Sequence, residues 1–305
     1  MDTKISTSSR NTTITIAWVF ILLASLLPMV ILQEIFQQDV SENLQYTMAA
    51  IVVLAGLALT FIWKAAYPLR PFFILFLVFT GAEWIVFTKV DKLPFYRTLL
   101  RDPSFNIYMP AEKFLGLIVT LTIIAVLFIL KKKRAAFFLV KGDTAAPVEP
   151  VRWLDIKQGE HWDKLGRKFA IIISLATLTF LVIAGRPPLD ILLRALPFLP
   201  AVLICAALNA FNEEVSYKAS FLSVLEEPVG KQHALWLMAA YFGLAHFYGV
   251  PYGVIGVLMA TFLGWFLGKS MLETRGLWWA WFIHFMQDIL IFAFMAIGSV
   301  QSGGG

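Results

Sequence analysis

Apolar residues run through this chain in long unbroken stretches, and the polar residues are gathered into short gaps between them. A helix rises about 1.5 Å per residue, so roughly 20 apolar residues are needed to cross hydrocarbon. About nine stretches meet or approach that length: 12–32, 45–63, 71–87, 113–130, 168–184, 198–222, 234–248, 252–269 and 277–297, the third and seventh being short. The pattern predicts an all-α polytopic membrane protein with about nine transmembrane helices.

Composition agrees. The 305 residues are 59% hydrophobic and 15% charged, against roughly 25% charged in a soluble domain. The formal net charge of +5 is modest. It speaks for topology and an anionic lipid bilayer as partner, with no nucleic acid. The single cysteine, Cys205, allows no disulfide within the chain and reads as a small core residue. The first apolar stretch is of span length and lacks an A-x-A-like site, so no cleavable leader is expected. With no organellar signal evident, the expected location is a bacterial plasma membrane. The terminal Gln301-Ser302-Gly303-Gly304-Gly305 reads as a flexible tail.

Basic residues set the orientation. Lys4 and Arg10 precede the first span, Lys64 and Arg70 separate the second and third, and Lys131-Lys132-Lys133-Arg134 follows the fourth. Lys164, Arg167 and Lys168 precede the fifth, and Lys269 and Arg275 separate the last two. All fall on one side if the N-terminus is cytoplasmic. The loop with Glu34, Asp39 and Glu42 then faces the exterior; the loop with Lys89, Lys92, Arg97 and Arg101 runs against the trend. The one substantial break, 131–167, carries Pro147, Pro150, Trp153 and Trp162 and reads as a linker followed by an interfacial segment with tryptophans at headgroup level. It divides the chain into a four-span N-terminal part (1–134), a cytoplasmic linker and interfacial segment (135–167) and a C-terminal part (168–300).

Ionised side chains inside hydrocarbon are costly and mark functional sites. The sixth stretch contains Glu213 and Glu214, the seventh His246, and the ninth His284 and Asp288. Residues four apart share a helix face, which pairs Phe242 with His246, His284 with Asp288 and Glu213 with Tyr217. Glu214 points roughly 100° away from Glu213, so one glutamate can face a cavity while the other braces the scaffold against Lys218. Counted from the cytoplasmic ends, Glu213, His284 and His246 lie roughly 14, 12 and 18 Å deep, close enough for one cavity. Glu83, mid-span in the third stretch, either pairs within the N-terminal part or lines a substrate path. His161 and His233 lie in polar surroundings, and Trp278, Trp279 and Trp281 read as interfacial anchors.

Taken in order, Glu213-Glu214-Val215-Ser216-Tyr217-Lys218, Phe242-x-x-x-His246 and His284-x-x-x-Asp288 resemble the motifs of the CPBP family. That family comprises the CAAX prenyl endopeptidases and bacteriocin-processing (Abi-type) proteins, the glutamic intramembrane endopeptidases. Gly256, Gly264, Gly268 and the Thr274–Trp278 turn also fit its pattern, and the resemblance runs from about Phe198 to Ile297. Two positions bear on the motif: Lys218 stands where Arg is common, a departure, and Asp288 takes one of the two residues, Asn or Asp, that the family has there. The resemblance implies a CPBP-like core that hydrolyses a peptide bond of a membrane protein or peptide, such as a C-terminal sorting or lipidated tail, without cofactor or metal. Glu213 would be the general base on a water held with His246. His284, helped by Asp288, would stabilise the oxyanion, and Glu214 would belong to the same catalytic set.

Other readings compete. Two histidines and a glutamate suit a zinc peptidase, although no H-E-x-x-H occurs. Intramembrane Glu and His also serve transporters and proton relays, but no paired half-repeats are visible. A non-catalytic peptide-binding protein would share the same composition. The basic bias makes a direct prediction: a tag at Asp143 is reached from the cytoplasmic face, and labelling there from the outer face alone would overturn the orientation.

Overall fold

A computed structural model describes residues 7–301; Lys4 and the tail residues 302–305 lie outside the described residues. The described chain is helical, and its only strand-like features are isolated bridges in the segment before residue 162. Thirteen α-helices follow in order. They are α1 (Thr7–Ala24), α2 (Leu27–Val30), α3 (Glu42–Ile62), α4 (Arg70–Thr88), α5 (Pro94–Leu100), α6 (Phe105–Ile129) and α7 (Trp162–Gly185). Then come α8 (Leu189–Ala195), α9 (Leu199–Glu213), α10 (Ser220–Val229), α11 (Lys231–Leu244), α12 (Val254–Thr274) and α13 (Trp278–Gln301).

Every expected span has its helix. Seven of the spans are long and apolar enough to cross a membrane alone, and the bent pair 10–24 and 27–35, which turns by 50°, makes an eighth. The remaining one, α11, has 14 residues, which is about 21 Å and shorter than the hydrocarbon core. It is sheltered instead by α12 and α10. The chain is thus a multi-pass integral membrane protein. The breaks have local causes: Pro28 follows the α1 bend, Pro71 and Pro94 sit in the first turns of α4 and α5, and Ser41 caps α3 by accepting from the Leu44 N–H.

Gaps that the basic bias puts on the same side also meet one another. On one face the hydroxyls of Tyr248 and Tyr252 donate to Gln33 and Glu34 at 2.7 and 2.6 Å. On the other, Arg275 grips Glu226 with two bonds of 2.7 Å, and Asp143 N–H donates to Thr274 O at 2.8 Å. The same face carries the Lys231–Glu149 ion pair, which holds the Glu149 carboxyl below the usual range.

A large apolar core joins the N-terminal and C-terminal helices, and a smaller one packs α6 against α9 and α13. Phe72, Phe76 and Phe79 recur at helical spacing on α4 and converge on Phe221 of α10, with ring centroids 5.2–5.9 Å apart. In lipid, helices associate by such close packing rather than by expelling water.

The 131–161 segment is held tightly. Val140 O accepts from Leu277 N–H, and Gly142 at φ +74° lies against the α12–α13 turn. Trp162 is fully buried beside Phe266 rather than facing lipid or solvent, and its indole N–H reaches Glu273 at 2.8 Å. Trp153 does remain exposed. Trp279 is buried too, its N–H donating to Thr144 O at 2.9 Å. A Cβ at residue 142 would lie 2.5 Å from Thr274 O in a left-handed conformation. Gly142→Ala should therefore cost about 1–3 kcal/mol and expose 131–161 to limited proteolysis; an unchanged melt and digest would show that this contact is not needed.

Candidate active site

The site forms where the chain loses regular α-helix. Between α9 and α10, residues 214–219 make a π-helical turn, with Ser220 N–H bonded to Val215 O five residues back. A π turn holds more residues than an α turn, so successive side chains diverge less, and such turns occur often at functional sites. Glu213 and Glu214 consequently both address His284 on α13.

Glu214 is fully buried. Its Oε1 accepts from Lys218 Nζ at 2.7 Å and lies 2.6 Å from His284 Nδ1. The brace against Lys218 expected from the sequence is present, and the carboxylate also holds the histidine. Lys218 Nζ sits 3.5 Å from the centroid of the Phe242 ring. One N–O contact and one ring face suit a point charge, so the planar fork of an arginine is not required here.

His284 turns its other nitrogen toward two more carboxylates. Nε2 lies 3.6 Å from Glu213 Oε2 and 3.6 Å from Asp288 Oδ1, both beyond hydrogen-bond length. Glu213 Oε2 has no hydrogen-bond partner. The residue bonded to His284 is therefore Glu214 rather than Asp288, because the π turn swings Glu214 onto Nδ1. Asp288 is held from elsewhere: the Asn209 amide donates to Asp288 Oδ2 and to Glu213 Oε1, each at 3.1 Å. Asn209 lies one turn before Glu213 on the same helix face, which is the signal in the sequence that identifies it.

His246 occupies the turn just after α11. Its ring packs on Phe242 at 4.5 Å between centroids, and Nδ1 lies 2.8 Å from Phe242 O. It is near enough to Glu213 for their charges to interact, without a direct hydrogen bond. Among the described residues, no group of three His, Cys, Asp or Glu is arranged to hold a metal ion. His161 is exposed, with Nδ1 at 2.7 Å from Ala145 O, and His233 accepts weakly from Trp18 at 3.4 Å; neither approaches the site.

A cavity of about 180 Å³ opens onto Glu213. Its walls include Asn209, Asn212 and Ser216 from the motif helix and Glu83, Glu112 and Lys113 from the N-terminal spans. Asn212 is itself fixed by Lys113 O (2.9 Å) and Thr120 Oγ1 (3.0 Å), and it rests on Gly116, where a Cβ would stand 2.9 Å from its amide nitrogen. Glu83 pairs with the Tyr217 hydroxyl, a residue of the motif, rather than within the N-terminal part.

No curated protein and no solved structure matched the chain. Residues 195–290 match the family model of the Rce1-like type II CAAX prenyl endopeptidases. That stretch runs from the end of α8 into α13 and contains Glu213, Glu214, His246, His284 and Asp288. The C-terminal part of this membrane protein accordingly carries a domain of the Rce1-like type II CAAX prenyl endopeptidase family, a family of membrane endopeptidases.

Proposed function

We propose that the chain is an intramembrane endopeptidase of the glutamic type, acting on a membrane-associated protein or peptide. The carrying observation is the convergence of Glu213, which lines the cavity, with His284 Nε2 and Asp288 at separations of 3.6 Å, His284 being fixed from behind by Glu214. A water donating to the unpartnered Glu213 Oε2 gives its proton to that carboxylate as its oxygen attacks the scissile carbonyl carbon. His246, one ring nitrogen taken up by Phe242 O, steadies that water with the other. Glu214 keeps Nδ1–H of His284, so a protonated ring aims Nε2–H at the oxyanion. When the C–N bond breaks, Glu213 returns the proton to the leaving amine. The fit with the family's named activity suggests a C-terminal tail, lipidated or sorting, as substrate, and the basic loops suit the inner face of a bacterial plasma membrane.

The two glutamates separate by experiment. Glu213→Gln should abolish cleavage while the thermal melt stays near that of the native chain, because an amide cannot accept the proton. Glu214→Gln leaves a buried lysine without its counter-charge and should cost about 3–5 kcal/mol. Cleavage that a chelator stops and zinc restores would replace the glutamate base by a metal site.

The oxyanion side has its own ranking, read as turnover of a membrane peptide by purified variants. His284→Ala should lose about 10²–10³ in rate or more. Asp288→Asn should keep substantial activity, since an amide oxygen still accepts from Asn209, and Asp288→Ala should lose more. A folded Asp288→Asn variant as inactive as Glu213→Gln would mean that the carboxylate itself takes part.

A further inference from the structure

Glu83 and Tyr217 are shared by two cavities. Beyond them lies a second chamber of about 280 Å³, lined by Ser25 just after α1, Gln45 and Tyr46 of α3, Thr80 of α4 and Tyr241 of α11. No lysine, arginine or histidine lines it. The Glu83 carboxylate accepts from a phenol, the Tyr217 hydroxyl, and forms no ion pair among the described residues; the cavity-lining base, Lys113, belongs to the first cavity and not to this chamber. Tyr46 and Tyr241 lie within electrostatic reach of that carboxylate, and the Tyr217 and Tyr241 rings stand 6.3 Å apart. A carboxylate among three phenolic rings in a chamber without a resident cation has the chemistry of an organic-cation site. An ammonium entering it gains ring faces and neutralises a carboxylate that is otherwise costly in the membrane.

Position says whose cation this is. Tyr217 follows Glu213 by four residues through the π turn, a separation of roughly 5–6 Å, which is about two residues of extended peptide. We propose that the chamber is a specificity subsite, built by the N-terminal spans, that receives a lysine or arginine side chain about two residues from the scissile bond. The assignment of the side chain to a substrate rests on the endopeptidase reading above; the site for an organic cation does not.

The test therefore begins with binding to full-length, detergent-solubilised Glu213→Gln protein, which needs no turnover. Nα-acetyl-lysine methylamide should bind at least about tenfold more tightly than its norleucine counterpart, and Glu83→Gln should erase that preference. Tyr46→Ala, which keeps the carboxylate, should weaken lysine binding several-fold and guards against a fold defect in the first variant. Equal binding of the two probes, or a preference that survives Glu83→Gln, overturns the site. Tighter binding of phosphoethanolamine than of the lysine probe assigns the chamber to a lipid headgroup and overturns the subsite. In the cleavage arm, peptides cut by the native chain and resynthesised with norleucine for lysine should lose about tenfold in kcat/KM, and Glu83→Gln should level the pair; no such loss overturns the subsite. Absence of cleavage altogether would count against the endopeptidase reading while the binding arm still decides the cation site.

Discussion

The Glu214 carboxylate is sealed from solvent and holds both Lys218 and His284 through a single oxygen, Oε1. In an apolar interior such a charge is tolerable only while both partners stay in place, and breaking a buried pair costs about 3–5 kcal/mol. Three helical elements are tied by this one carboxylate: the π turn that bears it, α13 through His284, and α11 through the Phe242 face under Lys218. The orientation of the histidine and the register of the motif helix are thus consequences of one electrostatic requirement.

Close packing makes that requirement geometrically possible. Gly243 meets Thr261 so closely that a Cβ would stand 1.9 Å from its hydroxyl, and Gly116 admits the Asn212 amide against α6. Small residues at these crossings let backbones approach, and the phenylalanine stripe of α4 fills the remaining space around Phe221. The N-terminal spans do more than shield the core from lipid. They contribute Glu83, Glu112 and Lys113 to the wall of the cavity, so the matched domain at 195–290 does not enclose its own site.

Much of this was legible in the chain itself. Long apolar runs have one stable solution in a bilayer, because every backbone polar group must be satisfied within a helix, and so the helical architecture follows from composition and run length. Charged residues inside such runs are rare for the same energetic reason, which marks Glu213, Glu214, His284 and Asp288 from the sequence alone. Helical spacing also anticipated the Glu214–Lys218 pair, since an i,i+4 contact depends on one helix only.

Tertiary structure decided whatever depends on two elements at once. A regular helix would point Glu214 away from His284; the π turn, which no propensity announces, brings it there. Asn209 became a bridge between Glu213 and Asp288 only through the approach of α13 to α9. Trp162 looked like a headgroup anchor and is buried, and Glu273, distant in sequence, supplies its acceptor. Glu83 found Tyr217 across a helix interface. Local pattern sets which residues must leave lipid or water, but partners between helices depend on crossing geometry, and that is a property of the packed whole.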